Sequence, residues 1–342
     1  MILNSILGSL TLLSFALTLW QWLVARRFSL HQRVPAHAFP PAVTLLKPVK
    51  GCDEATEDCL RSWFTQDYTG RIQILFGVAS AEDPVCQIAT KLIKEFPAVE
   101  AQLIVSGPLL GANAKVSKLA QLERLAKHEI LIVSDADVRV PPDLLANIVA
   151  PFRECHAPTP GLVTCFYRLS NIKTLAMQWE GVAINADFWS QVLQAQSLKP
   201  IDFALGAVMA MPRKQLQEIG GFTAIVDCLA DDYQLGHRIA RCGHRIVISP
   251  VVVECWSAPM GWKAVWKHQL RWARTIRVCQ PIPYFFSILS NATLWPLVWA
   301  IATPSRLSLA LTMVCLIVRV ATALHLQSKL LGRRITFHVS RF

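Results

Sequence analysis

The sequence predicts an α/β domain built on a mostly parallel sheet and set between membrane-spanning helices. Three features carry that expectation. Apolar runs of spanning length stand at both ends of the chain. Between them, short branched apolar runs alternate with helix-length segments, the pattern of successive βα units. One such run, Ile130 to Val140 (ILIVSDADVRV), leads a strand suited to burial on both faces directly into two carboxylates. Open α/β sheets bind their ligands at that end of the strands.

Composition sets the frame. The 342 residues are 53% hydrophobic and 17% charged, against ~25% charged in ordinary soluble domains. The excess of apolar residues lies at the ends, and the middle is long enough for one α/β domain with a full core. The formal net charge is +11. No zinc-finger spacing and no RNA-binding aromatic signature accompanies it, so a nucleic-acid partner is not expected. Attraction to an anionic lipid bilayer suits basic residues flanking apolar runs. Ten cysteines are scattered with no Cys-x-x-Cys pair, and they read as reduced thiols of a cytosolic domain rather than a metal site.

Taken in order, Ile2 to Val24 is an apolar run of the ~20 residues needed to span a bilayer. It lacks the basic leader and small-residue cleavage site of a removable signal peptide. Arg26, Arg27 and Arg33 follow it, which places what comes next in the cytoplasm. Ser29 to Pro41 is a polar linker. Val43–Leu46 reads as a strand, 57–65 as a helix and Ile72–Val78 as a strand. A helix over Val85–Glu95, a strand over 102–105 and a helix over 115–126 come next, and then the strand entering Asp135 and Asp137. Beyond it, strands are expected over 161–167, 203–211 and 245–253. Helices are expected over 174–197 and 215–219, and the segment from Asp227 to Arg241 contains Leu229-Ala230-Asp231-Asp232-Tyr233 entering a helix.

From Trp262 the character changes. Lys263, Lys267, Arg271 and Arg274 share one helical face, and Trp262, Trp266, Leu270 and Ala273 the adjacent one. That pairing suits a helix lying in the membrane interface, although a surface helix packed by its tryptophans has the same pattern. Ile282–Thr303 and Leu307–Leu326 are two further apolar runs, with Lys329, Arg333 and Arg334 after them, so a hairpin returns the chain to the cytoplasm. The expected division is a transmembrane helix over 1–25, a linker over 26–41, a catalytic domain over 42–260, an interfacial helix over 261–281, a transmembrane hairpin over 282–326 and a cytosolic tail over 327–342. Arg319 lies inside the last run, where a charge is costly and marks a snorkelling, bundle-facing or headgroup-facing role.

The residue types that carry chemistry recur in order. Residues i and i+2 of a strand point the same way, so Asp135 and Asp137 converge if the strand continues through them. Two converging oxygen ligands suit a hard divalent cation that also holds phosphates. Further along stand Asp83-Pro84, Asp231-Asp232 and His268-Gln269-Leu270-Arg271-Trp272. Singly, each has a plainer explanation. Asp83-Pro84 and Asp231-Asp232 are good helix starts, Lys115 is an ordinary helix-surface charge, and Arg271 fits the basic face.

Together these stretches resemble the ceramide glucosyltransferase family. Its members are membrane-bound inverting glycosyltransferases of the GT-A, Rossmann-like fold. The likeness runs from about Val43 to Pro281. Leu46-Lys47-Pro48-Val49-Lys50-Gly51 is similar to the family's opening strand and loop, and Asp83-Pro84 to its first aspartate. Gly111-Ala112-Asn113-Ala114-Lys115 resembles its Gly-x-Asn-x-Lys stretch. Asp135 stands at its second aspartate and Asp232 at its third. His268 departs from the Gln or Arg that heads the family's last motif, whereas Arg271 and Trp272 keep to it. The motifs are also similar to those of bacterial relatives that glycosylate hopanoids.

The resemblance implies a UDP-sugar donor, glucose above all, and a membrane lipid acceptor such as ceramide. In that reading Asp137, supported by Asp135, holds Mg²⁺ or Mn²⁺ against the diphosphate. Lys47, Asp83, Lys115 and Asp135 bind the donor nucleotide. His268, Arg271 and Trp272 serve the diphosphate and the acceptor side. Asp232 is the base that takes the acceptor's proton. A hopanoid such as bacteriohopanetetrol receiving N-acetylglucosamine is the alternative of the same fold. A processive polysaccharide synthase shares the aspartates but needs more spans than the three expected here. A catalytically dead nucleotide-binding scaffold is opposed by the intact Asp135, Asp137 and Asp232.

Overall fold

The computed structural model describes residues 1–34, 40–153 and 158–332. Arg333, Arg334, most of the expected tail and part of the linker lie outside the described residues. The chain divides into two compact units, one of residues 31–173 and 200–260, the other of residues 1–30, 174–199 and 261–342.

The first unit is built on eight strands: β1 Val43–Pro48, β2 Ile72–Val78, β3 Glu100–Val105, β4 Ile130–Ser134, β5 Val138–Arg139, β6 Pro160–Leu169, β7 Val208–Pro212 and β8 Arg245–Cys255. They form one sheet in the order β3-β2-β1-β4-β7-β6-β8-β5. The first four pair in parallel, as crossover helices require. Their runs are mainly apolar, and β1 and β4 are buried along their whole length. The second half is mixed. β7 runs antiparallel to both β4 and β6, and β5 antiparallel to β8. β6 and β8 again pair in parallel, so most of the pairing is parallel, as expected, and the antiparallel pairs of β7 and β5 make the whole a mixed α/β sheet.

Two strands are shorter than the apolar pattern predicts. The run at Ile130 stops at Ser134, turns through Asp135–Asp137 and resumes as β5 at the other end of the sheet order. The alternation that would align Asp135 with Asp137 is thus broken by a turn, in which the Val138 amide donates to Asp135 O at 3.4 Å. The strand expected from Phe203 starts only at Val208. Residues 200–205 are instead a loop lying under helix Asp231–Arg241. A Cβ on Gly236 of that helix would come within 2.3 Å of the Ala204 nitrogen, so only glycine permits this approach.

The second unit is helical. Ile2–Arg27 and Arg306–Leu331, of 26 residues each, are long and apolar enough to cross a membrane. The expected span over Ile282–Thr303 is instead a bent pair, Pro281–Ser290 and Leu294–Ala302, meeting at 54°. Asn291 caps the second helix across the break, its Oδ1 accepting from the amides of Thr293 at 3.2 Å and Leu294 at 2.9 Å. Polar side chains link the helices by hydrogen bonds. Gln21 donates to Ser190 Oγ at 2.6 Å, Trp299 to Asn4 Oδ1 at 2.8 Å and Thr312 to Pro296 O at 2.9 Å. Arg319 pairs with Asp187, the bundle-facing choice among its expected roles. Asp187 sits in a π-helical turn, Ala183–Phe188, between the helices Leu175–Val182 and Trp189–Gln196.

Candidate active site

The site is assembled where β1 and β4 end side by side. Their parallel register sets Leu46 beside Val133, so the next residues, Lys47 and Ser134, are neighbours. Lys47 is 0% exposed. Its ammonium donates to Asp135 O at 2.5 Å and Ser134 Oγ at 3.2 Å, and lies 5.2 Å from the Trp63 ring centroid. The structure places Lys47 behind the turn that carries the carboxylates. Its side chain braces Asp135 from within. Lys118 does the same for the loop after β1, donating to Val49 O at 2.7 Å from a buried position.

Lys115 reaches the front of the same turn. Asn113 caps its helix, accepting from the amides of Lys115 at 3.1 Å and Val116 at 3.2 Å. The loop before the cap is stitched to residues 226–228. Asn113 N donates to Val226 O at 2.7 Å, Asn113 Nδ2 to Cys228 O at 2.8 Å and Ala112 N to Asp227 Oδ1 at 2.8 Å. A Cβ on Gly111 would lie 2.6 Å from that Asp227 oxygen, which explains the glycine in the stretch. So held, the Lys115 ammonium sits between Asp135 Oδ1 at 2.7 Å and Asp231 Oδ2 at 2.8 Å. Burial works against its charge, but the two carboxylates outweigh burial and push its pKa well above the ordinary lysine range.

Asp232 follows Asp231 at the start of its helix but has a different environment. Its Oδ1 accepts from the Tyr233 amide at 2.8 Å, and it forms no ion pair among the described residues. Burial and then the charge of Asp231 raise its pKa to about 6, although Lys115 opposes them. Gly206, in the loop before β7, leaves room for it: a Cβ there would stand 3.0 Å from Asp232 Oδ2. Asp137 is reached by solvent at the outer end of the turn. The protein around it and then the neighbouring Asp135 raise its carboxyl from the usual range. Tyr167 of β6 completes the floor. Its phenol is pushed far up by burial and by the negative charges of Asp232, Asp135 and Asp137.

Asp83 lies at the edge of this group. Both its oxygens accept from the Gly51 amide, at 2.9 and 3.1 Å, and Oδ1 also from Val85 N at 3.1 Å. It thus ties the loop after β1 to the start of helix Val85–Glu95. The expected last motif belongs to the helical unit, on helix Trp262–Cys279. There Arg271 is exposed, and the His268 and Trp272 rings are 4.7 Å apart. A cavity of about 380 Å³ bounded by Ala120, Glu123, Arg124 and Arg213 contains none of these residues.

The carboxylates suit an ion shared with a ligand rather than a closed protein cage. No group of three or more metal-ligating side chains occurs among the described residues. Asp135 and Asp137 offer two carboxylates on one turn, and a cation, the Lys115 ammonium, already stands against Asp135. Mg²⁺ and Mn²⁺ sites that take their remaining ligands from water and phosphate oxygens need no more than this. Lys47 and Lys115 were both visible as motif lysines, but their opposite placements depend on the β1–β4 register and the Asn113 cap. Asp231 was masked by its neighbour Asp232, and Tyr167 ends a strand that was expected over 161–167 but carries no motif.

The mixed sheet, with carboxylates at the end of β4, has the GT-A fold. The chain belongs to Glycosyl transferase family 21, whose model matches residues 6–341. It is 24% identical over 223 residues to "Ceramide glucosyltransferase 3" of Caenorhabditis elegans, covering 65% of this chain and 48% of that protein. Over 118 residues it is 37% identical to "Ceramide glucosyltransferase" of Candida albicans, covering 31% of this chain and 22% of that one. The chain spans about half, or less, of the length of these curated relatives. Among solved structures it matches the mannosyltransferase PcManGT of Pyrobaculum calidifontis, in complex with GDP-Man and Mn²⁺. The TM-score is 0.62 at 22% identity, over 96% of this chain and 97% of that one, a likeness of fold.

The burial of Lys47 is directly testable. Burial lowers its pKa from 10.5 to about 8, and the charges of Asp137 and Asp135 offset only part of this. Between those values the unfolded chain binds more protons than the folded one, so this group's contribution to stability rises with pH across that window. The thermal midpoint of the detergent-solubilised wild type, measured relative to Lys47→Met, is expected to rise between pH 7 and pH 10. A difference that is flat with pH contradicts a buried ammonium.

Proposed function

We propose that the chain transfers a hexose, glucose above all, from a UDP-sugar to a hydroxyl of a membrane lipid such as ceramide, with inversion at the anomeric carbon. The observation that carries this is the division of labour among the carboxylates. Asp231 and Asp135 share the Lys115 ammonium, while Asp232 is left without a cationic partner and raised to about 6. A carboxylate raised by burial in this way beside an ion-paired neighbour is a candidate general base. The resemblance to ceramide glucosyltransferases supports the lipid and the donor.

In this mechanism Asp83 and Asp135 bind the nucleotide end of the donor. Mg²⁺ or Mn²⁺ at Asp137 and Asp135 would supply positive charge against the diphosphate as the glycosidic bond breaks. Lys115 adds a fixed cation beside them. Asp232 takes the proton of the lipid hydroxyl as its oxygen bonds to the anomeric carbon and UDP departs with the electron pair. Arg271 and Trp272 keep the diphosphate and acceptor roles that their motif implies. The sheet unit carries the transfer chemistry. Helix Trp262–Cys279, with Trp262 and Trp266 exposed beside Lys263 and Lys267, lies in the membrane interface.

The deciding experiment supplies membranes containing the protein with labelled nucleotide sugars and with ceramide or hopanoid acceptors, and identifies the product by mass spectrometry. Glucosylceramide formed from UDP-glucose, and lost on chelation of divalent cations, is the expected result. A hopanoid product overturns the lipid assignment. Full activity after chelation removes the metal.

Asp232→Asn keeps the hydrogen bond from the Tyr233 amide and removes the proton affinity. Turnover should fall about 10²–10⁴-fold, the usual share of a general base, with nucleotide binding intact. Asp137→Ala should instead weaken metal-dependent donor binding. Because the base acts as a carboxylate, wild-type kcat/KM should rise with pH through about 6 and level off above it. Near-normal turnover of Asp232→Asn would leave Asp231 as the candidate.

We further propose three membrane spans with the sheet unit on the cytosolic side. The two long helices, the bent pair and the basic residues Arg26, Arg27 and Lys329 support this. A thiol introduced beside Arg153 should resist an impermeant reagent added to intact cells. Labelling from outside sinks the topology.

A further inference from the structure

The helical unit contains a carboxylate that the mechanism does not use. Glu180, on helix Leu175–Val182, is 0% exposed. Its Oε1 accepts from His268 Nδ1 at 2.6 Å and from Gln269 Nε2 at 2.9 Å, both on helix Trp262–Cys279. Its Oε2 is buried with no hydrogen-bond partner among the described residues. Such an arrangement is costly. A glutamine would match the shape without burying a charge, so what distinguishes the glutamate is that its carboxylate only accepts.

That property dictates the state of the histidine. Nδ1 must carry the proton it donates to Oε1, so the neutral ring keeps its lone pair on Nε2. Nε2 lies across the ring from the buried carboxylate, and the His268 side chain is 25% exposed. The ring is further confined by Trp272, at 4.7 Å between centroids, and Trp272 in turn by Phe188 at 6.1 Å. Phe188 closes the π-helical turn that continues from the helix bearing Glu180, and π-turns of this kind recur at functional sites. One helix and its π-turn thus fix both ends of the His268–Trp272 motif.

We propose that Glu180 is a positioning residue which holds His268 in the Nδ1–H tautomer, so that Nε2 accepts a hydrogen bond from the polar head of the lipid acceptor. The group it recognises is a hydroxyl or amide N–H other than the hydroxyl that receives the sugar. This rests on the proposed lipid glycosyl transfer and assigns part of its acceptor recognition. It also gives a use to the histidine found where the family pattern has Gln or Arg.

The test combines spectroscopy and kinetics on the full chain in lipid nanodiscs. Imidazole ¹⁵N spectra, with His268 assigned by its loss in His268→Gln, should show the neutral wild-type ring carrying its proton on Nδ1, with Nε2 bare. A wild-type ring protonated at Nε2 overturns the proposal without recourse to any variant. Glu180→Gln should release the tautomer. It should lower kcat/KM for the lipid about 10–100-fold, the scale seen for outer partners that orient ligating histidines, with nucleotide binding unchanged. Because Glu180 acts through His268, the double variant should lose no more than the worse single one. Additive losses, or an unchanged tautomer in Glu180→Gln, overturn the proposal. If no lipid is glycosylated by the wild type, the functional reading fails, while the ¹⁵N spectra still decide whether Glu180 sets the ring.

Discussion

One ammonium group draws the site together. Lys115 stands between Asp135, at the end of a central strand, and Asp231, at the start of a helix far along the chain. Without it two carboxylates would face each other across a cleft that also contains Asp137 and Asp232. Like charges at such spacing raise one another's pKa values and resist close approach. The lysine answers that repulsion, and it does so from a helix whose start is fixed by the Asn113 cap and by three hydrogen bonds to residues 226–228. The Gly-x-Asn-x-Lys stretch is therefore a single device. The glycine allows the loop to approach Asp227, the asparagine sets the helix, and the lysine reaches the carboxylates.

A second lysine supports the same turn from the opposite side. Lys47 is enclosed by protein, and its hydrogen bonds go to Ser134 and the carbonyl of Asp135. Burying an ammonium is expensive unless its donors are satisfied, and here they hold a turn that interrupts an otherwise continuous apolar run. The carbonyl of Asp135 is thus fixed from behind while its carboxylate faces Lys115. Placing the backbone and the side chain of one residue by separate cations leaves it little freedom, which is what a site for a highly charged ligand requires.

Much of this was legible in the residues and some was not. The first half of the sheet could be read because each strand is a short apolar run with its own flanking signals. Ile72–Val78 and Val85–Glu95 fall where the pattern put them. In the second half the strands expected over 161–167 and 245–253 are present as β6 and β8, but the long-range pairing was not legible. Nothing in FALGAVMAM says that Phe203 to Leu205 lie under a helix rather than beside β4. Neither does ILIVSDADVRV announce that its last residues pair with β8. The apolar run from Ile282 showed length and hydropathy but not the bend at Asn291. The aspartates were visible as an ordered set. The neutralisation of Asp231 and not Asp232 was hidden, since it depends on a lysine brought in by tertiary contacts.

The two aspartates also show why adjacent carboxylates need not be redundant. At the first turn of a helix both favour the positive end of its dipole, and sequence alone makes them equal candidates. Lys115 removes that equality by pairing with Asp231, whose charge then acts on Asp232 from the next residue. Burial adds to that effect and the Tyr233 amide limits it. One carboxylate becomes part of the electrostatic framework and the other is left near the pH at which it can exchange a proton. The same logic applies in the helical unit, where a buried acceptor-only group, Glu180, dictates which nitrogen of His268 remains basic. In both places the reactive character of an outer group is set by a charged partner that is itself held by the fold.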